Sequence, residues 1–158
     1  MTVTVRAATR ADRDFVMALA PRLRAFGDPP LRPPATIDEA ERQTLERALS
    51  APAADSALLV AEVEGRGPAG VAYAESATDY FTGERHGHLA ILVVADAAEG
   101  QGVGRALLAA VERWAAGCGY RLLTLNVFAG NARARAVYER AGFAPDTVRY
   151  AKELPLSP

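Results

Sequence analysis

Gly100, Gly102 and Gly104 fall at alternate positions between two stretches of opposite character. Before them, residues 88–95 are nearly all apolar, as in a strand covered on both faces. After them, Val103, Leu107, Val111, Trp114 and Cys118 recur four, four, three and four apart, which makes one stripe of a helix that Gly117 and Gly119 end. Residues 122–127 read as a second buried strand. Two buried strands joined through a helix imply a parallel pair with a right-handed crossover, so the chain must build an α/β sheet around this turn.

The other segments supply antiparallel partners. Period-two alternation makes residues 3–6 a short strand. Thr9 and Asp12 form a capping box, and Phe15, Val16, Leu19, Leu23 and Phe26 share a helical face, so helix one is expected over residues 10–25. Gly27, Pro29, Pro30, Pro33 and Pro34 forbid its continuation. Thr36 with Glu39 signals a second helix, which Pro52 closes. Residues 57–63 and 69–75 read as a hairpin around the turn at 64–68. The segment 76–87 is polar, and 88–95 is then expected as the central strand. A short helix over 131–141, closed by Gly142, and a last strand over 149–154 complete the order.

Composition narrows the function. A chain of 158 residues with 50% hydrophobic content is expected to form one domain, residues 1–158, with no need of a metal or disulfide staple. A net charge of −1 lacks the excess of a duplex-binding domain, so nucleic acid is not expected as the primary partner. The single cysteine, Cys118, excludes an intrachain disulfide and a multi-cysteine zinc site, and its place on the helical stripe suggests packing rather than nucleophilic chemistry. With no secretory core in the first fifteen residues and no uncharged run of 18, we expect a cytoplasmic protein with no membrane association.

The glycine turn itself suggests chemistry. The first turn of a helix has unpaired amides and the positive end of the helix dipole, and glycines let a phosphate approach the backbone without a Cβ. A glycine-rich turn without ligand would look the same. A phosphate loop would need Gly-Lys-Ser/Thr, but Gly104 is followed by Arg105 and Ala106. A dinucleotide fingerprint would need Gly-x-Gly-x-x-Gly. Both nucleotide readings fail, and a different pyrophosphate carrier is indicated.

With Leu92-Val93-Val94 before it, Glu99-Gly100-Gln101-Gly102-Val103-Gly104 resembles the Arg/Gln-x-x-Gly-x-Gly/Ala signature of the GNAT superfamily of N-acetyltransferases. Asn131, Ala134, Tyr138 and Gly142-Phe143 match a second signature, Asn-x-x-Ala-x-x-x-Tyr-x-x-x-Gly-Phe. The resemblance implies a mixed, mostly antiparallel sheet with one splayed parallel pair, flanked by helices. It implies acetyl-coenzyme A as cosubstrate, with no metal, and an acetyl group passed by direct attack to a primary amine, on a small molecule or a peptide. Backbone amides from Gly102 to Arg105 would hold the pyrophosphate, within a turn that also includes Gly100, Gln101, Val103 and Gly104. Main-chain groups of Leu92, Val93 and Val94 would pair with the pantetheine arm, and residues 126–129 would face it. Asn131 would touch the arm, Ala134 would leave room for it, and Tyr138 would protonate the departing thiolate. A homodimer is suggested by analogy alone.

Two positions depart from the pattern. Glu99 replaces Arg or Gln beside the pyrophosphate, so its carboxylate is expected to turn to solvent while Gln101 and Arg105 compensate. Ala90 stands where many relatives carry a Glu that serves as base, so another group must deprotonate the amine. Alternation with Ala90, Leu92 and Val94 points His88 toward the cleft and makes it the best candidate, with Glu75, Asp79 and His86 as competitors. Asp28, Asp38, Asp79, Glu84 and Tyr80 could receive a cationic acceptor. Arg133 and Arg135 lie on a solvated face or near a 3′-phosphate. A non-catalytic acyl-coenzyme A binding module is the alternative reading.

Overall fold

A computed structural model describes residues 2–24, 27 and 31–157. Its strands are β1 (Val3–Ala7), β2 (Ser56–Val63), β3 (Gly67–Thr78), β4 (Arg85–Val94) and β5 (Leu123–Leu125). Its helices are α1 (Arg13–Leu19), α2 (Pro34–Ser50), α3 (Val103–Gly117) and α4 (Ala132–Arg140). The sheet runs β1-β2-β3-β4-β5, antiparallel throughout except for the parallel β4–β5 pair. The expected mixed sheet with one parallel pair is therefore present. The central strand is β3, whereas residues 88–95 were expected there; β4 is next to the edge and owes its apolar character to cover on both faces.

Helix one differs from its expected span. The Thr9–Asp12 box is formed, with the Thr9 amide donating to Asp12 Oδ2 at 2.7 Å, but it starts a 3-10 turn at Arg10–Asp12. Arg6 also donates to both Asp12 oxygens at 2.8 Å, tying β1 to this turn. After α1 the chain tightens again into a 3-10 segment, Ala20–Arg24, because Pro21 has no amide to continue the α-helical ladder. The expected contributions of Ala25, Phe26, Asp28, Pro29 and Pro30 lie outside the described residues. The second helix starts at Pro34, ahead of the Thr36–Glu39 signal. Proline at the first helical position has its φ preset and lacks only an amide that would go unpaired. Glu39 serves Arg42 and Gln43 instead.

Two cores flank the sheet. On one face α3 packs Val103, Leu107, Leu108 and Val111 against Ala61, Ala72, Ala74 and Leu89. On the other, Val16 and Leu19 of α1 and Leu45 and Ala48 of α2 pack on Val60, Val71, Tyr73, Ile91 and Val93. Cys118 is not on the inward stripe as expected: it lies past the last turn of α3 and is exposed.

The expected last strand, 149–154, does not form. Val148, Tyr150, Leu154 and Leu156 are exposed along a tail with no strand pairing. Alternation marks a sequence that can enter a ladder, but a strand exists only where a neighbour supplies its hydrogen bonds. No described helix is long and apolar enough to cross a membrane.

Candidate active site

The turn before α3 has the geometry of an anion cradle. Gly100 and Gly102 have φ of +74° and +81°, values that side chains strain to adopt, and a Cβ at either would meet only open space. Gly102 caps α3 with no side chain of its own. Behind it the amides of Gly102, Val103, Gly104 and Arg105 have no backbone acceptor among the described residues, and Ala106 is the first to bond back, to the Gly102 carbonyl at 3.0 Å. The third glycine is less demanding: a Cβ on Gly104 would sit 3.7 Å from Val94, an ordinary contact. Val103 is buried and anchors the turn to the core, while Arg105 is exposed beside it. Gln101 spends its side-chain amide on the Ala97 carbonyl at 3.1 Å and leaves Oε1 buried without a partner, so it is less available to a ligand than expected.

Glu99 does not turn to solvent. Its carboxylate accepts from Arg22 Nη2 at 2.6 Å and from Arg133 Nη2 at 3.2 Å. Arg22 also donates through Nε to the Val94 carbonyl at 3.0 Å. The carboxylate that seemed repulsive is thus neutralised by two guanidinium groups and ties the segment after α1, the end of β4 and α4 together. Sequence reading missed Arg22, because nothing local marks a contact across more than seventy residues. Arg133 takes part in this network rather than standing on a purely solvated face, and Arg135 donates to the Ala129 carbonyl at 3.1 Å.

The strand pair next to the turn stops pairing after three positions. Pairing of β4 with β5 covers only Gly87–Leu123, His88–Thr124 and Leu89–Leu125. Beyond Leu89 the β4 edge away from β3, including Leu92, Val93 and Val94, has no strand beside it, and residues 126–129 leave the ladder. The Val94 carbonyl is already engaged by Arg22. The unpaired amides and this open edge fit a diphosphate with an amide-bearing arm.

His88 shares a face with Ala90, as expected, but not with Leu92 and Val94. The β3–β4 register shifts between Tyr73 and Ala74, where Ala74 opposes Leu89 and Tyr73 opposes Ile91, so Ala90 is a bulged extra residue. A bulge reverses the alternation. Leu92 and Val94 pack toward α3, while Ala90, Ile91 and Val93 face α1 and α2. His88 lies before the bulge, opposite Glu75, and shares the α1/α2 side with Tyr73, whose hydroxyl donates to Glu75 Oε2 at 3.2 Å. His88 Nδ1 lies 2.8 Å from Thr124 Oγ1, and His86 Nε2 reaches the same hydroxyl at 3.1 Å. Burial lowers the His88 pKa from its ordinary 6.5, partly offset by the Glu75 charge and reinforced by His86.

On α4, Asn131 is the N-cap. Its side-chain oxygen accepts from the Ala134 amide at 3.1 Å, so it stands outside the helix and does not share a helical face with Tyr138 as the seven-residue spacing suggested. Ala134 and Tyr138, four apart within the helix, do share one. The Tyr138 ring meets Phe143 edge to face at 5.9 Å and packs on the α3-side core. Its hydroxyl has no protein partner among the described residues, and partial burial of the side chain raises its pKa above the ordinary 10. Of the acceptor candidates, Asp38 is held by Arg24 at 2.6 Å, and Asp79 and Glu84 lie with the exposed Tyr80 at the β3–β4 turn.

The chain matches the acetyltransferase (GNAT) family over residues 22–143, more than three quarters of its length. It is 46% identical over 63 residues to a mycothiol acetyltransferase of Amycolatopsis mediterranei, a stretch that covers 40% of this chain and 21% of that protein, so it spans only about a fifth of this relative. A protein of Pyrococcus furiosus assigned as an acetyl transferase superposes with a TM-score of 0.77 at 20% identity, covering 97% of this chain and 100% of the other. An aminoglycoside N-acetyltransferase in complex with CoA gives 0.73 at 23% identity, covering 96% and 95%. At those identities the superpositions speak for the fold, which matches end to end. With both signatures and most of its length inside the family match, the chain belongs to the acetyltransferase (GNAT) family.

Proposed function

We propose that this protein transfers an acetyl group from acetyl-coenzyme A to a primary amine within a ternary complex. The observation that carries the reading is the run of unpaired amides from Gly102 to Arg105, behind left-handed Gly100 and Gly102 and beside the open edge of β4. Those amides hold the diphosphate, Arg105 adds positive charge, and the β4 edge from Leu92 to Val94 receives the arm once Arg22 releases the Val94 carbonyl. The bound cosubstrate supplies an acyl group already activated as a thioester.

The chain's own residues supply the proton transfers. The lowered His88 pKa keeps the imidazole neutral at pH 7, able to accept a proton from the attacking ammonium. The raised Tyr138 pKa keeps the phenol protonated, able to donate to the departing thiolate. Asn131 and Ala134 shape the start of α4 beside the arm. Cationic acceptors are favoured, because Glu75, Asp79 and Glu84 line the side of the sheet that bears His88 or the turn beyond it. Aminosugars are the first class to test, since relatives of this fold include an aminoglycoside N-acetyltransferase and a glucosamine-6-phosphate N-acetyltransferase.

Thiol release from acetyl-coenzyme A, with kanamycin, glucosamine 6-phosphate and a short peptide as acceptors, tests the activity. Calorimetry with the cosubstrate alone tests the site. Heat of binding without turnover on any acceptor would favour a non-catalytic acyl-coenzyme A module; no heat would remove the site assignment. Tyr138→Phe should lower kcat about 100-fold while leaving cosubstrate affinity unchanged. An equal rate would remove its role as proton donor.

A further inference from the structure

Arg22 joins the open edge of β4 to the glycine turn. Val94 opposes Gly70 in the β3–β4 ladder, and the chain just beyond is bonded, with the Ala95 amide donating to the Ala69 carbonyl at 2.8 Å. Opposed pairs in an antiparallel ladder alternate between bonded and non-bonded, so Val94 turns its main-chain groups away from β3, to the side that β5 has left. Leu92, opposite Ala72, does the same. Arg22 enters on that side, where its Nε donates to the Val94 carbonyl at 3.0 Å. The other nitrogens reach the segment before α3: Nη2 donates to Glu99 Oε1 at 2.6 Å, and Nη1 lies 3.4 Å from Asp96 Oδ1. Glu99 directly precedes Gly100, and its second oxygen accepts from Arg133 at 3.2 Å.

A molecule with its arm along Leu92 to Val94 and its diphosphate on the amides of Gly102 to Arg105 runs from one end of this guanidinium to the other. Its arm competes with Arg22 for the Val94 carbonyl, while its phosphates offer Arg22 a better acceptor. A hydrogen bond between ions is about twice as strong as one between neutral groups. Giving up the neutral carbonyl for a phosphate oxygen is therefore favourable, and Glu99 can keep hold of Nη2 while Nε turns.

We propose that Arg22 is a cosubstrate-binding residue that exchanges the Val94 carbonyl for a phosphate oxygen, with Glu99 as its pivot. The inference rests on the reading of acetyl-coenzyme A as cosubstrate. No covalent bond changes: the guanidinium trades one acceptor for another, and the freed carbonyl accepts from an amide of the arm. Glu99 is a positioning residue, because it acts through Arg22. Its charge alone would repel the diphosphate, but Arg22, Arg133 and Arg105 together outweigh Glu99 and Asp96.

Calorimetry of the whole protein with coenzyme A tests the exchange, with a denaturant midpoint for each variant to show that the fold is kept. Arg22→Gln should raise the Kd about ten-fold and make it less sensitive to salt. Arg22→Lys, which keeps the charge, should recover most of the affinity, and Glu99→Gln should raise the Kd by less than Arg22→Gln does. In nitrogen-15 NMR the Arg22 Nε–H resonance, identified by its loss in Arg22→Gln, should move when coenzyme A is added to the wild-type protein. A resonance that stays in place while heat is released would overturn the proposal, because the donor would still be on Val94. So would an Arg22→Gln variant that binds as tightly as wild type or more tightly, since Arg22 would then only block the edge. Equal losses for Lys and Gln would remove the role of the charge, and a lower Kd for Glu99→Gln would remove the pivot. If the wild-type protein gives no heat with coenzyme A, the cosubstrate reading itself fails.

Discussion

The two walls of the candidate cleft are built to different standards of burial. The α3 wall carries Val103, Leu107, Leu108, Ala110, Val111 and Ala115, all buried, and it presents backbone amides. The α4 wall carries Tyr138, yet none of its residues is buried, and no described residue after Ala115 is. A site that holds an anion by backbone groups needs those groups fixed before the anion arrives. A proton donor can be brought into place by the ligand itself. The α3 wall should therefore open only with the whole domain, and the α4 wall at much lower cost.

Matched truncations test this most severely. Leu107→Ala should cost about 2–5 kcal/mol, read as a lower denaturant midpoint, because the residue is fully buried in a packed core. Val137→Ala on half-exposed α4 should cost less than about 1 kcal/mol. Similar losses would show that the walls share one core. Gly102→Ala comes next: φ of +81° strains any side chain by about 1–2 kcal/mol although space is free, so the cosubstrate Kd should rise about ten-fold. An unchanged Kd would remove those amides from the site.

Smaller effects probe the link between the walls. Glu99 joins Arg22 and Arg133 across the cleft, with side chains 31%, 24% and 55% exposed, so Glu99→Gln should cost at most about 1 kcal/mol. Hydrogen exchange should then speed up in α4 by about five-fold at most, while α3 stays unchanged. Faster exchange in α3 as well would contradict the independence of the walls. The smallest effect is on pH. Burial lowers the His88 pKa from 6.5, so the imidazole accepts protons at neutral pH and the rate should fall as pH drops through a limb below 6.5. Glu75 raises that pKa against the burial effect, so Glu75→Gln should move the limb to still lower pH. A move upward would show that Glu75 does not face the imidazole.

Local features of this protein were readable where the determining forces are local. The glycine turn, the α3 stripe as far as Trp114 and the Thr9–Asp12 box depend on residues within a few positions of one another, and each formed, although the box opens a 3-10 turn and Cys118 falls outside the stripe. The site was only partly readable. His88 could be named from its place on a strand, but its face depended on the bulge at Ala90, which appears only when β4 is laid against β3. Thr124 lies in the middle of the three-residue β5, and nothing near it in the chain points to two histidines 36 and 38 positions away. Helix one is shorter than its apolar face suggests because Pro21, a local signal, removes an amide from the ladder.

By itself, then, the amino-acid order determined most of the element types and the left-handed glycine turn at the start of α3, because helix periodicity, strand alternation and backbone conformation are set over one or two turns of chain. Tertiary structure alone decided that β3 is central, that Arg22 and Arg133 neutralise Glu99, that His88 faces away from Leu92, and that the alternating tail stays unpaired. Each of these depends on a partner tens of residues away, and a hydrogen bond or ion pair is specified by both ends at once.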